Sequence, residues 1–367
     1  MLSDANSAHT ERWALGLVSK GHRVLLYSLS APRNPFIANI PGVDFETLNL
    51  PTSTTYDSIG AYKKLVYVRA VPEVRKLMKK VSADLAHAHY ASSYGVVATL
   101  GMLRPRVVSI WGADVYSSPY VSRFHKYVIA KVLRSADAVH STSWAMREQG
   151  LRLCARKIDV VPFGIDTDRF NPRGSDYVSK DYITIGLVKS LEEKYGIHVL
   201  LKAFAAIRLA GAPAMKLLIV GGGTMEQRLK SLASELGVAD STTFTGPVPY
   251  DAVPDYQRMM DIAVFPSIDD SESFGVSVIE AQSCGRPVIV SRIGGLPEVV
   301  EAGKSALIVE PGNPEKLATA ILELARNPAE MAAFGQRGRS NVIQKYQMSK
   351  CLDLLIAHYD ALTPSRC

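Results

Sequence analysis

The stretch ESFGVSVIE, residues 272–280, decides the fold of the second half of the chain because of the segments on either side of it. The preceding residues 263–267 read AVFPS and predict a buried strand. Residues 274–284 predict a helix that ends where a glycine and then a proline follow. Glu272 and Glu280 therefore bracket the start of a helix that follows directly on a strand.

The spacing of the two glutamates limits their chemistry. Eight residues at helical rise separate their backbones by roughly 12 Å, so Glu272 and Glu280 cannot serve one bond as a general acid–base pair. They can instead hold two ends of an extended ligand, and the helix start between them offers N–H groups to a diphosphate. A ligand with a sugar, a diphosphate and a ribose along that line is a nucleotide sugar. The alternative is that Glu272 is a helix-terminal charge and Glu280 a solvated helix residue.

Four motifs in this region resemble the donor site of the retaining glycosyltransferases of family 4. They are ESFG at 272–275, VIEA at 278–281, CGRPVIV at 284–290 and IGGLPEVV at 293–300. Such motifs are specific because their strand–turn–helix context is also present. The resemblance covers the whole chain and is densest between residues 160 and 312.

The resemblance implies an α/β protein of the GT-B fold, in which two facing Rossmann-like domains with parallel sheets enclose a cleft. Residues 1–169 would bind the acceptor and residues 170–348 the donor, and a C-terminal helix within 349–367 would join the first domain. The hydropathy pattern agrees, since strands and helices alternate twice, and ligands of such sheets bind beyond the carboxyl ends of the strands. The predicted strands are 22–27, 85–90, 106–111, 138–142, 183–187, 215–221, 243–245, 262–266, 287–291 and 306–309.

The resemblance also implies the roles of the donor-site residues. Glu272 would bind hydroxyl groups of the transferred sugar, and Glu280 would bind the ribose. Lys189 and Lys194 would neutralise the diphosphate, with Lys189 in place of the family's arginine; solvated surface lysines are the alternative. With these cations available, neither a metal nor a cofactor is implied. The other predicted donor-binding residues are Ser273, Phe274, Gly275, Val276, Gly222, Gly294 and Gly295.

The glycine turn GGGTME at 221–226 follows a predicted strand and opens a helix. It lacks the third glycine of the dinucleotide fingerprint, and no acidic residue stands convincingly at the end of the next strand, which argues against an NAD-dependent oxidoreductase. The resemblance to family 4 implies a tight turn near the nucleoside, and glycine suits a structural turn and a ligand contact equally well.

The acceptor side of the site is less well defined. Relatives often carry His-Gly-x-Asp where this chain has WGAD at 111–114, and Trp111 cannot relay a proton. Asp114 would bind the acceptor or cap the following turn. His89 ends an apolar strand and is a weak candidate beside the more common role of a core histidine. Asn6 and Ser7 lie where relatives place a donor or acceptor loop, with helix capping as the alternative.

Composition narrows the class of protein. The 367 residues suit two domains, and no apolar stretch approaches the ~20 residues of a membrane span. The start of the chain shows no signal-peptide pattern, so we expect a cytoplasmic protein. The four cysteines are scattered without a Cys-x-x-Cys spacing, which predicts neither a zinc site nor a disulfide framework.

Positive charge is concentrated in the first half of the chain. Residues 1–170 contain 22 Lys and Arg against 13 Asp and Glu, a net charge of +9, which leaves −2 for the rest. Much of the excess lies in the segment 62–80, whose apolar residues recur at helical spacing and in which Pro72 is predicted to start a second helical piece. The segment predicts either a core-facing helix with a solvated basic side or a docking site for anionic lipid. No nucleic-acid-binding module accompanies the charge.

The start of the sequence departs from the family pattern. Relatives have an apolar strand before the first loop, whereas only Met1 and Leu2 precede that loop here. Such a strand would lie centrally in the sheet, and its absence would leave backbone groups unpaired on both sides. We therefore expect an upstream start outside this sequence.

Taken with the resemblance, the sequence predicts a retaining glycosyltransferase that moves a sugar from a nucleotide-sugar donor, with a UDP-sugar favoured, to an acceptor hydroxyl. The expected partners are the nucleotide sugar, a glycan or glycolipid acceptor of bacterial surface polysaccharide synthesis, and an anionic membrane surface, but no nucleic acid. The alternative is a catalytically silent GT-B subunit that binds a glycan or a partner enzyme.

Overall fold

The computed structural model describes residues 1–33, 39–51, 63–172, 181–210 and 214–363. These residues form two compact units. Unit 1 contains Met1–Phe163 and Met348–Cys367, and unit 2 contains Gly164–Gln347. The domain boundary predicted after residue 169 thus lies slightly beyond the boundary between the units.

Unit 1 is built on a parallel sheet. β1 pairs with β2, and β3 to β6 form a continuous row in chain order. The short strands β3 and β4 are completely buried, as expected of parallel strands that are covered on both faces. The strands are β1 (Val24–Ser30), β2 (Val43–Leu50), β3 (Ala86–His89), β4 (Arg106–Ser109), β5 (Ala138–Ser141) and β6 (Asp159–Val160).

The helices of unit 1 lie between these strands and at the C-terminus. Two of them begin at a serine whose hydroxyl accepts a backbone N–H three residues on, as N-cap residues do: Ser122 for α5 and Ser143 for α6. The last helix, α13, packs against α1 within the same unit. The helices are α1 (Ala8–Ser19), α2 (Ala70–Lys80), α3 (Gly95–Leu100), α4 (Ala113–Tyr116), α5 (Arg123–Ser135), α6 (Trp144–Leu151) and α13 (Met348–Leu362).

The first residues of the chain connect the two parts of this sheet. Leu2 forms parallel bridges with Tyr27 of β1 and with Ala88 of β3. The Met1 amino group donates a 2.6 Å hydrogen bond to the Leu25 carbonyl. A cavity of about 1130 Å³ adjoins this point and is lined by residues of β1, α2 and β3. The position between β1 and β3 is therefore a strand position, and the upstream start stays a prediction.

Unit 2 contains a six-stranded parallel sheet of order β12-β11-β10-β7-β8-β9. Counted along the unit, this is the order 6-5-4-1-2-3, which is the doubly wound dinucleotide-binding arrangement. The strand order reverses between β7 and β10, and at such a switch point a crevice opens beyond the carboxyl ends of the strands. The strands are β7 (Ile183–Val188), β8 (Met215–Val220), β9 (Thr242–Phe244), β10 (Ile262–Phe265), β11 (Val288–Ser291) and β12 (Ala306–Val309).

The helices of unit 2 cover this sheet, and α7 packs against α11. Both α11 and α12 begin at an asparagine N-cap followed by proline at the first helical position, a combination that favours helix initiation. The helices are α7 (Ile197–Leu209), α8 (Glu226–Glu235), α9 (Val253–Met259), α10 (Val276–Ser283), α11 (Pro314–Ala325) and α12 (Pro328–Lys345).

Several predicted boundaries need correction. The helix predicted from residue 274 begins at Val276, because Gly275 adopts a left-handed conformation and serves as the N-cap. The second helical piece of the basic segment begins at Ala70 and not at Pro72, which lies within its first turn. The strand predicted to reach residue 111 ends at Ser109. Strands β2 and β6 were not predicted at all.

None of the helices in the described part of the chain combines the length and hydropathy of a membrane span. Cys154, Cys284 and Cys351 are buried free thiols. Among the residues that the structure describes, no three His, Cys, Asp or Glu side chains are grouped so that they could hold a metal ion.

Candidate active site

Loops that leave neighbouring parallel strands of unit 2 meet at the carboxyl edge of its sheet. The loop after β7 carries Lys189 and Lys194, and the loop after β10 carries Glu272. Since β7 and β10 are paired neighbours on either side of the switch point, their loops lie side by side. The structure thus brings together residues that are about eighty positions apart in the sequence.

Lys189 and Glu272 form an ion pair across the switch point. The Lys189 Nζ lies 2.8 Å from the Glu272 Oε2, and the two side chains are only 15% and 8% exposed. Burial opposes the charge on Lys189, but the Glu272 carboxylate together with Tyr195 and Glu280 outweighs it, so the pKa of Lys189 is raised above its ordinary value. Lys189 is therefore a cation whose charge is compensated by one carboxylate within the protein.

The second lysine lies close to this pair. The Lys194 Nζ is 5.0 Å from the centre of the Tyr195 ring, and the Lys189 Nζ is 4.3 Å from the same ring. Lys194 also donates a 3.5 Å hydrogen bond to the Ser271 hydroxyl. The electron-rich ring favours two cations near each other. The alternative of solvated surface lysines is wrong for Lys189, and Lys194 is held by Tyr195 and Ser271.

Glu280 is buried in the fifth position of α10. Its side chain is 4% exposed, and the Tyr250 hydroxyl donates a 3.0 Å hydrogen bond to its Oε1. A buried carboxylate needs such partners because loss of hydration is costly. The alternative that Glu280 is a solvated helix residue is therefore wrong, and Tyr250 joins the site from the loop after β9.

The start of α10 separates the two glutamates. Gly275 has a φ of 93° and caps the helix, and its carbonyl accepts the N–H of Val278 at 3.0 Å. The N–H groups of Val276 and Ser277 are those that a helix start leaves without intrahelical partners. The Phe274 ring is buried and packs edge-on against Tyr346, 5.7 Å between ring centres, and its predicted donor contact stays a prediction.

The glycine turns support the loops that carry the charged groups. The Gly295 N–H donates to the Glu272 carbonyl at 2.9 Å. A Cβ at Gly294 would overlap that same carbonyl oxygen, and a Cβ at Gly221 would overlap the carbonyl oxygen of Lys189. Both glycines have positive φ as well, so side chains are excluded there by conformation and by space. Gly222 lies against Pro247, and its predicted donor contact stays a prediction.

In unit 1, Asp114 is buried and bonded to backbone. Its carboxylate accepts N–H groups from Ala91 at 2.9 Å, Trp111 at 3.1 Å and Gly112 at 2.9 Å. Burial raises the pKa of Asp114, and these hydrogen bonds oppose the rise. The geometry favours the capping interpretation, since the carboxylate ties the turn after β4 to the loop after β3.

Aromatic rings surround Trp111. Its ring centre lies 4.1 Å from that of His89 and 5.3 Å from that of Phe163, and His9 stacks on Phe163 at 4.0 Å. The His89 Nδ1 is 2.8 Å from the Ser3 hydroxyl. Burial holds the pKa of His89 well below its ordinary value, so the imidazole is neutral. The tryptophan thus packs where the family pattern places a histidine, next to a histidine from the neighbouring strand.

The first loop is tied to the segment after β1. The Asn6 Nδ2 donates to the Ala31 carbonyl at 3.0 Å, and the Asn6 Oδ1 accepts the Arg33 N–H at 2.7 Å. Ser7 is the N-cap residue of α1 by position, although its hydroxyl forms no capping hydrogen bond. Ser7 therefore caps α1 with its backbone carbonyl and not with its side chain.

Comparison with known proteins decides the family. Residues 171–341 match the model for glycosyl transferases group 1, and residues 1–143 match that for glycosyl transferase 4-like proteins. The D-inositol 3-phosphate glycosyltransferase of Corynebacterium jeikeium is 35% identical over 326 residues, which cover 78% of this chain and 74% of that protein. The chain belongs to the group 1 glycosyltransferases.

Further relatives of this glycosyltransferase agree. A GDP-mannose-dependent alpha-(1-6)-phosphatidylinositol monomannoside mannosyltransferase of Mycolicibacterium smegmatis is 32% identical over 300 residues, 75% of this chain and 77% of that protein. Sucrose-phosphate synthase from Thermosynechococcus elongatus has a TM-score of 0.83 at 22% identity, and HepE of Anabaena in complex with UDP has one of 0.79 at 18%. Their alignments cover 98% or more of each chain. The predicted family and the predicted GT-B fold are confirmed.

The site of this glycosyltransferase contains residues that sequence reasoning missed. Tyr195 directly follows Lys194 in the sequence, but no motif marks it as a site residue. Nothing in the sequence pairs Tyr250 with Glu280. Ser267 donates a 3.5 Å hydrogen bond to the Glu272 carboxylate from the end of β10. A polar residue directly after a buried strand was the available signal for Ser267.

Proposed function

We propose that this glycosyltransferase transfers a sugar from a nucleotide-sugar donor, with a UDP-sugar favoured, to a hydroxyl group of a glycan or glycolipid in bacterial surface polysaccharide synthesis. The observation that carries the donor assignment is the buried Lys189–Glu272 ion pair at the switch point of unit 2. An anionic diphosphate can take the place of the carboxylate next to Lys189 if the hydroxyl groups of the bound sugar then satisfy Glu272, because a buried charge left without partners is strongly destabilising.

The proposed chemistry follows the positions of the charges. The bond between the anomeric carbon and the diphosphate oxygen breaks, and the negative charge that develops on that oxygen is met by Lys189, Lys194 and the N–H groups at the start of α10. The acceptor hydroxyl forms the new bond on the face that the diphosphate leaves, and its proton passes to the departing oxygen. Retention of configuration follows without a protein nucleophile, and no step passes through a metal or a cofactor.

The two glutamates divide the donor between them in this proposal. Glu272 accepts hydrogen bonds from hydroxyl groups of the transferred sugar, since it lies beside the cation that meets the diphosphate. Glu280 accepts hydrogen bonds from the ribose, with Tyr250 holding its carboxylate in place. The remaining predicted donor-binding residues around the helix start contribute backbone groups.

A thermal-shift panel tests the donor assignment. UDP, GDP and ADP are compared at equal concentrations, with uridine and inorganic phosphate as controls that lack the diphosphate or the nucleoside. A ligand at 100 times its Kd adds about 2.7 kcal/mol to the apparent free energy of unfolding, and we expect UDP to give the largest shift. GDP forms part of the donor named for the M. smegmatis relative. If GDP gave a larger shift than UDP, the favoured base of the donor would be guanine and not uracil. No shift with any diphosphate would contradict the proposal.

The location of the enzyme is part of the proposal. A cytoplasmic protein whose acceptor is lipid-linked works at the inner face of a membrane, and the basic segment 62–80 was one predicted contact. In α2, the side chains of Ala70 and Val74 are buried, while Lys76, Lys79 and Lys80 are exposed. These positions fit a core-facing helix with a solvated basic side, because no large apolar side chain within α2 is exposed and only Val68, just before the helix, is half exposed.

A further inference from the structure

A cluster of large apolar side chains lies exposed on unit 1, at the start of α5 and just before it. Tyr120, Val121, Phe124 and Tyr127 are 57%, 58%, 68% and 58% exposed. Single exposed apolar residues are normal on protein surfaces, but a contiguous group indicates an interaction site. We name these four residues, together with the neighbouring cations described below, the α5 face.

The helical spacing places the aromatic rings away from the core. Phe124, Tyr127 and Lys131 follow one another at intervals of three and four residues, so they form one stripe along α5. Ile129 and Leu133 are buried on the other side of the same helix. The apolar residues of the α5 face are therefore additional to those that hold α5 on its unit.

The α5 face is also positively charged. Between Asp114 and Asp137 the sequence contains no acidic residue, whereas Arg123, Lys126 and Lys131 lie on the exposed surface of α5. Within the described residues, none of these three cations forms an ion pair. Their charges are thus directed to solvent and complement a negatively charged partner.

An anionic lipid bilayer matches both properties of the α5 face, its exposed apolar side chains and its positive charge. Interfacial helices place aromatic and aliphatic residues at the acyl boundary while lysine and arginine contact anionic headgroups. The phenol of Tyr127 suits the headgroup level, where one end of the ring is wet and the other apolar. A soluble anion would match the cations but would leave the exposed rings without a counterpart.

We propose that the glycosyltransferase docks on an anionic membrane through the α5 face, with Phe124 and Tyr127 entering the interface between the headgroups. This rests on the proposed function only in so far as a lipid-linked acceptor gives docking a purpose. The α2 helix carries a comparable number of cations, but Val74 faces the core, and among the described side chains of the segment 62–80 only Val68, 50% exposed just before α2, is a large apolar residue on the surface. The α5 face, and not the basic segment 62–80, is then the principal contact.

Vesicle sedimentation of the full chain tests this assignment without donor or acceptor present. Phe124→Ser with Tyr127→Ser removes the rings, and Arg123→Gln with Lys126→Gln and Lys131→Gln removes the cations. The matched controls are Lys76→Gln with Lys79→Gln and Lys80→Gln on α2, and Leu209→Ser with Met259→Ser, two exposed apolar residues of unit 2. Unchanged circular dichroism and an unchanged UDP thermal shift verify that each variant is folded.

On vesicles of phosphatidylglycerol and phosphatidylcholine, we expect each removed α5 cation to lower affinity about fivefold, and the triple variant about a hundredfold. Loss of the two rings should lower affinity on the order of tenfold and abolish the residual binding at 1 M salt, where charge attraction is screened. Both control variants should bind within about threefold of the wild type. Vesicles of phosphatidylcholine alone should bind the wild type weakly.

Several outcomes would overturn docking through the α5 face. Wild-type protein that stays in the supernatant at low salt rules out membrane docking, and an equal loss in the α2 and α5 triple variants shows that net charge alone is responsible. If sedimentation velocity shows a wild-type dimer that Phe124→Ser with Tyr127→Ser disperses, the α5 face is an interface between copies of this chain. A failed nucleotide shift with intact vesicle binding would contradict the proposed function instead, so the two proposals fail separately.

Discussion

The carboxyl edges of the two parallel sheets hold their polar groups in different ways. At the edge of unit 2, Lys189 and Glu272 are paired with each other, side chain to side chain. At the edge of unit 1, the Asp114 carboxylate is bonded to three backbone N–H groups, and His89 is neutral and packed against Trp111. Charges that compensate each other can be exchanged for those of a ligand, whereas charges bound to backbone hold loops in place. Under the proposed function, ligand exchange takes place in unit 2, and the polar groups of unit 1 support loops.

The largest expected effect is a decrease in the unfolding free energy of unit 1 at low pH. Burial holds the pKa of His87 and His89 well below the ordinary value and lowers that of His140 to about 3. These groups bind protons when unfolded but not when folded, so their stability contribution is complete above pH 6.5 and is lost as the pH falls towards 3. At pH 5.5, about one unit below the ordinary histidine pKa, each histidine that stays neutral in the folded state lowers the unfolding free energy by about 1 kcal/mol, and the three together lower it by several kcal/mol.

Tryptophan fluorescence measures this effect selectively. Trp13, Trp111 and Trp144 are the three tryptophans of the chain, and all lie in unit 1. Denaturant midpoints from fluorescence should decrease between pH 7.5 and pH 5.5, while the UDP-dependent thermal shift, which reports unit 2 under the proposed function, should change less. A fluorescence midpoint that stays constant over this range would contradict neutral buried histidines and would break the contrast between the units.

The next prediction tests whether a diphosphate replaces the Glu272 carboxylate as the partner of Lys189 during turnover. Glu272→Gln should lower kcat by about 10²–10³, because a charged contact to the transferred sugar is lost at the reacting centre. Its affinity for free nucleoside diphosphate should stay the same or rise, since Lys189 no longer has a competing carboxylate. Lys189→Met should instead weaken that affinity. Titration calorimetry measures the nucleotide affinity and steady-state kinetics measures kcat. Equal losses of nucleotide affinity in Glu272→Gln and Lys189→Met would contradict replacement of the carboxylate by the diphosphate.

A smaller effect is expected at the other end of the donor. Glu280→Ala removes a charged hydrogen-bond acceptor from the proposed ribose contact and should weaken nucleoside diphosphate binding by about 1.5–3 kcal/mol, roughly tenfold to a hundredfold. Tyr250→Phe removes only the hydroxyl that holds this carboxylate and should cost about threefold to tenfold. Calorimetric affinity that is unchanged in Glu280→Ala would exclude the ribose assignment.

The sequence predicted the strands of unit 2 more completely than those of unit 1, and the reason is burial. Strand β10 reads IAVF, and β8 reads MKLLIV with only Lys216 polar, so the apolar pattern of both strands is visible without a structure. Strand β2 reads VDFETLNL and is only partly buried, and β6 has two residues. Neither pattern stands out, because pairing with a neighbouring strand and not hydropathy determines those elements.

The sequence predicted which residues belong to the candidate site but not which of them contact each other. Motifs identified Glu272, Glu280, Lys189 and Lys194, because each lies in a loop or helix start that the resemblance marks. The direct pairing of Lys189 with Glu272 depends on which strands are neighbours in the sheet, and strand order is a property of the folded chain. Similarly, the capping of Asp114 depends on Ala91 from a different loop, which no local pattern could reveal.

The smallest effect distinguishes the two roles considered for Asp114. Asp114→Asn keeps the shape of the side chain but removes the charge and one acceptor oxygen, while Ala91, Trp111 and Gly112 still present their N–H groups. We expect a loss of about 1–3 kcal/mol in the unfolding free energy of unit 1, followed by tryptophan fluorescence, because at least one buried donor loses its partner. UDP binding to unit 2 should not change. If stability is unaffected and the KM for acceptor rises at constant donor KM, Asp114 contacts the acceptor directly, and the carboxyl edge of unit 1 would then exchange ligands as that of unit 2 does.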